Sequence, residues 1–162
     1  TKLNNEKISA IYKKNYMLNL IGLRLFTVYG PYGRPDMFIP KILRKISKGG
    51  TLSLYNSGNH FRDFTYVEDV ANIIFLITKK FNLLKKTDVL NICCGKNINI
   101  KSVIKLIQKI TGKKLKIKNK KFQRGDMKKT HGNNSRLKNF LKDYKFKNFD
   151  EGIKKTLLVD LF

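Results

Sequence analysis

The stretch "GLRLFTVYGPYGRPDM", residues 22–37, decides how this chain of 162 residues is organised. Its first half is a short run of apolar and β-branched residues, which is typical of a buried strand. Its second half contains two of the three prolines and two of the eleven glycines of the chain, and the third proline, Pro40, follows at once. Because glycine and proline at this density mark a loop, the stretch predicts a strand that closes at Gly30 and Pro31 and leads into a turn.

The sequence on either side of this stretch predicts alternating helices and strands. Apolar residues at helical spacing predict helices at 3–17, from Pro40 to Gly49, from Asp69 to Lys80, and at 99–114, 134–144 and 149–162. Short apolar or alternating runs predict strands at 20–30, 51–58, 60–67, 89–95 and 115–122. We expect the helix from Asp69 to be buried on most of its surface, the last strand to lie at a sheet edge, and Ser135 and Asp150 to be N-caps. The alternation predicts an α/β fold.

The charge of the chain bears on whether its partner is a nucleic acid. Thirty-five basic residues face eleven acidic ones, so the formal net charge is +24. Only six of the basic residues are arginines, although specific recognition of bases and phosphates relies on the arginine fork. The lysines are scattered over every segment, and we therefore expect no specific nucleic-acid partner and only weak anion binding. No apolar run approaches the roughly 20 residues that span a bilayer, so we expect no membrane partner.

Cysteine usage and the N-terminus indicate the compartment. The two cysteines, Cys93 and Cys94, are adjacent, which supports neither a disulfide framework nor a metal site. We expect reduced, packed thiols in a cytoplasmic protein and no bound metal. The chain begins at Thr1 with neither a methionine nor the apolar core of a signal peptide, which suggests a piece excised from a longer protein.

Two places in the sequence could carry a binding site. Arg62 and Asp63 stand between phenylalanines in a predicted strand, so either they form an internal ion pair or Arg62 binds an anion. Asp126, in the glycine turn "QRGDM", offers a carboxylate for paired hydroxyls such as those of a ribose, or simply belongs to a surface turn. His60 and His131 lie in no catalytic motif, and we expect both to be solvated. The sequence contains neither a GxGxxG nor a GxxxxGK[ST] phosphate loop.

Four stretches in order carry a family resemblance: "GLRLFTVYGPYGRPDM", "LSLYNSGNHFRDFTYVEDVANII", "LNICCGKNI" and "QRGDMKKTHGNNSRL". Together they resemble the NAD-dependent nucleotide-sugar epimerase/dehydratase family, the extended short-chain dehydrogenases, and most of all its UDP-glucuronate 4-epimerase branch. The resemblance implies the C-terminal part of a Rossmann-like fold, with the last sheet strands and the small substrate-binding lobe. Residues 1–162 would form the substrate-binding portion, and the N-terminal dinucleotide-binding portion would be absent.

The resemblance also implies roles for individual residues. Lys2 falls on the lysine of a catalytic Tyr-x-x-x-Lys pair that also contacts the nicotinamide ribose of NAD, and the tyrosine would lie before residue 1. Phe26 and Val28 would lie beside the cofactor. The residues implied for the substrate, a UDP-sugar, are Thr27, Arg34, Ser53, Tyr55, Arg62 and Asp126. Within this set Arg62 would bind the diphosphate, Asp126 the nucleotide ribose, and Ser53 and Tyr55 the uracil.

The implied activity is epimerisation of a UDP-sugar such as UDP-glucuronate through a transient keto-sugar, in polysaccharide biosynthesis. The full-length protein would be a homodimer, and the isolated fragment would be inactive. Two alternatives stay open at this point. One is a 4,6-dehydratase or a decarboxylase of the same family, and the other is an inactive module that binds UDP-sugars or polyanions.

Overall fold

A computed structural model describes residues 1–84 and 89–160 of the chain. The helices are α1 (Lys2–Asn15), α2 (Phe38–Lys48), α3 (Val67–Lys79), α4 (Ile100–Thr111), α5 (Ser135–Phe140) and α6 (Phe149–Asp160). The strands are β1 (Gly22–Leu25), β2 (Thr27–Tyr29), β3 (Thr51–Tyr55), β4 (Phe61–Tyr66), β5 (Val89–Ile92), β6 (Asn97–Asn99) and β7 (Lys116–Lys120). Within the described ranges, no helix combines the length and the apolar character needed to cross a bilayer.

The strand predicted at 20–30 divides at Phe26, and its two parts join different sheets. β1 pairs with β5 in parallel, whereas β2 pairs in parallel with β4, which also carries β6 in antiparallel orientation. β3 and β7 form a separate parallel pair. The amide of Phe26 donates to the carbonyl of Ile92, which keeps the two sheets adjacent at this point. The predicted α/β fold is confirmed, and its parallel pairs require the crossover helices that the sequence indicated.

Two apolar clusters hold the sheets and helices together. The larger one gathers side chains from α2, β3, α4 and α6 around the aromatic rings of Tyr29, Phe64 and Tyr66. The smaller one lies between α3, β5 and α5. β2 and β4 contribute Tyr29, Phe64 and Tyr66 to the larger cluster. The turn "YGPYGRPDM" follows β2 and lies against α2 and β3, which together are called the lobe below.

Several boundaries differ from the sequence predictions for physical reasons. α3 buries only one face, with Ile74 and Phe75 exposed, because it packs on one side against β4 and the smaller cluster. The predicted caps are wrong: Asn134 occupies the N-cap of α5, and the Asn148 side chain caps α6 by accepting from the amide of Asp150. β6 was not predicted, and the last two residues of the predicted final helix lie outside the described residues.

Helix α1 lies apart from both clusters. None of its residues is buried, and the apolar stripe of Leu3, Ile8, Ile11 and Tyr12 is more than half exposed. A bidentate contact from Arg24 to Glu6, with both N···O distances 2.7 Å, ties the helix to β1. Between α1 and β1 lies an open cavity of about 560 Å³.

Candidate functional site

A cavity of about 610 Å³ opens between the end of β2, the turn after it and the lobe. β2 supplies Thr27 and Val28, and β3 supplies Ser53 and Tyr55 on the opposite wall. Exposed residues alternate with buried ones along β3, so Ser53 and Tyr55 share one open face while Leu52 and Leu54 enter the core. The strand pattern therefore aims polar side chains into the cavity and anchors its wall from behind.

Arg62 lines this cavity, and three hydrogen bonds within the chain hold its guanidinium. Nη2 donates to Oδ1 of Asp126 at 2.9 Å, and Nη1 donates to the carbonyls of Phe61 and Met127 at 3.0 and 2.6 Å. These bonds use three of the five N–H groups of the fork. The remaining two have no protein partner among the described residues, so they are available to an anion in the cavity.

Asp126 lies on the predicted glycine turn and forms an ion pair with Arg62. Its amide donates to the carbonyl of Gln123, and Gly125 adopts a φ of +90°, which favours glycine. The carboxylate is about one-third exposed and faces the cavity, with Oδ1 on Arg62 and Oδ2 3.4 Å from Nε2 of His60. The turn thus presents a partly open carboxylate beside a guanidinium.

Arg62 and Asp63 do not pair with each other, and Arg62 forms its ion pair with Asp126 instead. Asp63 is fully buried and points away from Arg62, and its carboxylate accepts from the amides of Cys94, Gly95 and Gly132 at 3.0–3.1 Å. Burial raises the pKa of Asp63, and the three amide donors oppose that rise. Asp63 therefore joins β4 to two loops, which leaves Arg62 to the cavity.

The turn that follows β2 also lines the cavity and is ordered by a local ion pair. Arg34 contacts Asp36 with two N···O distances of 2.6 and 2.9 Å, and both side chains are exposed. Lys41, in the first turns of α2, lines the same cavity. The lining therefore contains two ion pairs, Arg62 with Asp126 and Arg34 with Asp36, and a further lysine.

All six residues that the resemblance assigns to the substrate line this one cavity, and Val28 joins them. Lys2 does not, because it lies at the start of α1 and lines the open cavity beside β1. Phe26 lies between β1 and β2, outside both cavity linings. The roles of all nine residues stay predictions, and the geometry separates Lys2 and Phe26 from the other seven.

The expectation that His60 is solvated is wrong, because the structure buries its ring to 5% exposure in the wall of the cavity. A signal for this existed in the sequence: His60 stands two residues before Arg62, and residues two apart in an extended segment point to the same side. The other histidine, His131, is exposed as expected.

Three side chains have raised pKa values: the Tyr29 phenol in the cavity lining, and the thiols of Cys93 and Cys94, which lie outside it. Burial raises the pKa of the Tyr29 phenol, which therefore stays protonated at neutral pH. Burial also raises the pKa of Cys93 to about 12 and that of Cys94 to about 11, so neither thiol is a ready nucleophile. What the site can do with the charged side chains of its lining is hold a ligand that carries negative charge and hydroxyls.

Comparison with known proteins assigns the chain to a family. The model of the NAD dependent epimerase/dehydratase family matches residues 1–93, from α1 through β5. The UDP-glucuronate 4-epimerase of Thermodesulfobacterium geofontis is 33% identical over 158 residues, which make up 97% of this chain and 48% of that protein. The chain spans about half the length of the relatives it matches.

Two solved structures show how far the fold agrees. A mutant of UDP-glucuronic acid 4-epimerase from Bacillus cereus, in complex with UDP-4-deoxy-4-fluoro-glucuronic acid and NAD, has a TM-score of 0.88 at 27% identity, over 98% of this chain and 50% of that one. The dTDP-glucose 4,6-dehydratase of Bacillus anthracis, in complex with NAD, has a TM-score of 0.81 at 27% identity, over 94% of this chain and 48% of that one. The chain thus has the fold of extended short-chain dehydrogenases over about half of their length, and it belongs to the NAD-dependent epimerase/dehydratase family.

Proposed function

We propose that this chain is the sugar-nucleotide-binding portion of an NAD-dependent UDP-sugar epimerase, with UDP-glucuronate or a close relative as substrate. The observation that carries the proposal is the pairing of Arg62 with Asp126 in the lining of the large cavity. The two unused N–H groups of Arg62 suit a diphosphate, because a guanidinium binds phosphate oxygens in a bidentate fashion. The adjacent carboxylate suits the two hydroxyls of a ribose.

Two further cations in the cavity lining support a uronate as the sugar. A uronate differs from a neutral hexose by one carboxylate, which calls for a cation or several hydrogen-bond donors. Arg34 and Lys41 supply the cations, and Thr27 adds a hydroxyl from β2. Arg34 reaches the substrate by exchanging Asp36 for the sugar carboxylate.

The chemistry of epimerisation needs parts beyond the cavity. When NAD is bound, it supplies reversible acceptance of a hydride from a sugar carbon. Lys2 would lie beside the nicotinamide ribose and lower the pKa of a tyrosine four residues earlier, since i and i+4 share a helix face. Phe26 and Val28 would form the apolar wall next to the cofactor. The isolated chain would bind substrate without turning it over.

The dinucleotide-binding portion would pack against α1 and β1. Helix α1 exposes its apolar stripe, β1 has one paired neighbour among the described strands, and an open cavity lies between them. A further parallel strand beside β1 would cover that edge and bring a cofactor to the ends of β1 and β2. For the complete protein we propose a homodimer in the cytoplasm, with no specific nucleic-acid or membrane partner.

Titration of the chain with UDP-glucuronate tests the binding proposal. We expect saturable binding at about 0.15 M salt, weakened at least about 30-fold in Arg62→Ala, because a charge-assisted bidentate contact is lost. Arg136→Ala removes an exposed arginine on α5, outside the cavity lining, and serves as the matched control with unchanged affinity. Binding that falls equally in both variants, or that disappears as salt rises, would instead indicate a polyanion-binding surface.

Because one similar structure is a dehydratase, dehydration is the alternative reaction, and the identity of the product distinguishes it from epimerisation. The complete protein, incubated with UDP-glucuronate and NAD, is expected to yield UDP-galacturonate. Release of carbon dioxide would indicate a decarboxylase. A 4-keto-6-deoxy sugar from UDP-glucose or dTDP-glucose would indicate a 4,6-dehydratase.

A further inference from the structure

His60 is held rigidly at the wall of the nucleotide cavity. Its carbonyl accepts from the amide of Ile100 at 3.0 Å, which fixes the backbone against the N-terminus of α4. Its ring stacks on Phe122, with centroids 6.2 Å apart and planes inclined by 28°. Because backbone and ring are both constrained, the ring nitrogens can change partners only by small movements of the groups that face them.

The Nε2 atom of this ring has an unsatisfied position. It is buried and makes no hydrogen bond with any described residue, yet it lies 3.4 Å from Oδ2 of Asp126. A buried polar atom left without a partner costs about 1–3 kcal/mol, so such atoms need an explanation. The other oxygen of the same carboxylate is already bound by Arg62 at 2.9 Å.

We propose that His60 is a positioning residue that orients the Asp126 carboxylate for the ribose. This inference rests on the proposed function of the cavity. With a proton on Nε2, His60 holds Oδ2 while Arg62 holds Oδ1, so the carboxylate is fixed from both sides. Its remaining lone pairs then face the cavity for the two ribose hydroxyls.

Titration with UDP-glucuronate tests the proposal through substitutions of the two histidines. His60→Gln keeps an N–H donor near Nε2, so it should retain affinity within about threefold. His131→Gln, which removes the exposed histidine, should leave the wild-type affinity unchanged.

A second measurement asks whether His60 acts through Asp126. His60→Phe should weaken binding about tenfold in the wild-type background and hardly at all in an Asp126→Asn background, since the interaction partner is then changed. A loss of affinity in His60→Gln as large as that in His60→Phe, or an equal effect of His60→Phe in both backgrounds, would overturn the inference while Arg62-dependent binding keeps the proposed function intact. Absence of any Arg62-dependent binding would overturn both.

Discussion

Helices α1 and α4 have nearly equal lengths, 14 and 12 residues, and both carry an apolar stripe, yet only α4 is packed. α4 buries four aliphatic side chains, is capped by the side chain of Asn99 and ends at Gly112 with a φ of +67°. α1 buries none of its residues and has no side-chain cap. Helical periodicity therefore identifies the face that can be buried, whereas the surface that buries it has to come from elsewhere in the protein.

Two carboxylates that join segments of the chain, buried Asp63 and partly exposed Glu6, differ in burial as the two helices do. Removal of the Asp63 carboxylate has the largest predicted effect. Asp63→Ala would leave three buried amide donors without their acceptor, so we expect the free energy of unfolding to fall by about 3–5 kcal/mol. Glu6→Ala removes the exposed contact with Arg24 and should leave the urea midpoint unchanged. Urea unfolding followed by circular dichroism measures both. A comparable loss in Glu6→Ala would mean that α1 is held more firmly than its exposure indicates.

Truncating one aliphatic side chain in each helix tests the comparison directly. Ile104 on α4 is 3% exposed, and Ile104→Ala should cost about 2–4 kcal/mol through lost burial and a cavity. Ile8 on α1 is 53% exposed, and Ile8→Ala should change stability by less than about 0.5 kcal/mol. Equal losses would show that the stripe on α1 is covered in solution.

Gly30 lies between β2 and the turn that leads into the lobe formed by α2 and β3. It has a φ of +152°, and a Cβ at this position would collide with the side chain of Val67. Gly49 also has a positive φ but has no atoms within 4 Å of the Cβ position, so it is a matched control for backbone strain alone. We expect Gly49→Ala to cost about 1 kcal/mol and Gly30→Ala about 2–3 kcal/mol, from chemical denaturation. Equal costs would mean that Val67 moves aside freely.

Much of this architecture could be predicted from local pattern. Period and punctuation located the six helices and most strands, because amphipathic spacing and Gly-Pro turns are local properties. The glycine turn that presents Asp126 was predicted from five residues. The division of one predicted strand at Phe26 could not be predicted, since the partners of its two halves, β5 and β4, are far away in sequence.

The site was predictable to the extent that it follows from side-chain type. Arg62 could be identified as an anion ligand or a member of an ion pair, but its partner could not. Arg62 pairs with Asp126 because Asp63 is held by the amides of Cys94, Gly95 and Gly132. The burial of His60 depended on Phe122, sixty-two residues further on. Long-range packing decided both, and no single segment contains it.

Helix caps are local features, and they give the smallest of these contrasts. The amide of Lys101 donates to Oδ1 of Asn99 at 2.8 Å, so Asn99→Ala should lower the free energy of unfolding by about 1 kcal/mol. Thr1 occupies the same position on α1 without a side-chain hydrogen bond to the helix, and Thr1→Ala should have no measurable effect. Thermal unfolding of both variants measures the difference, with Asn99→Ser as the variant that keeps a capping oxygen and should restore most of the loss. If Thr1→Ala destabilised the chain as much as Asn99→Ala, α1 would depend on its N-terminal turn as α4 does, and the contrast between the helices would then rest on burial alone.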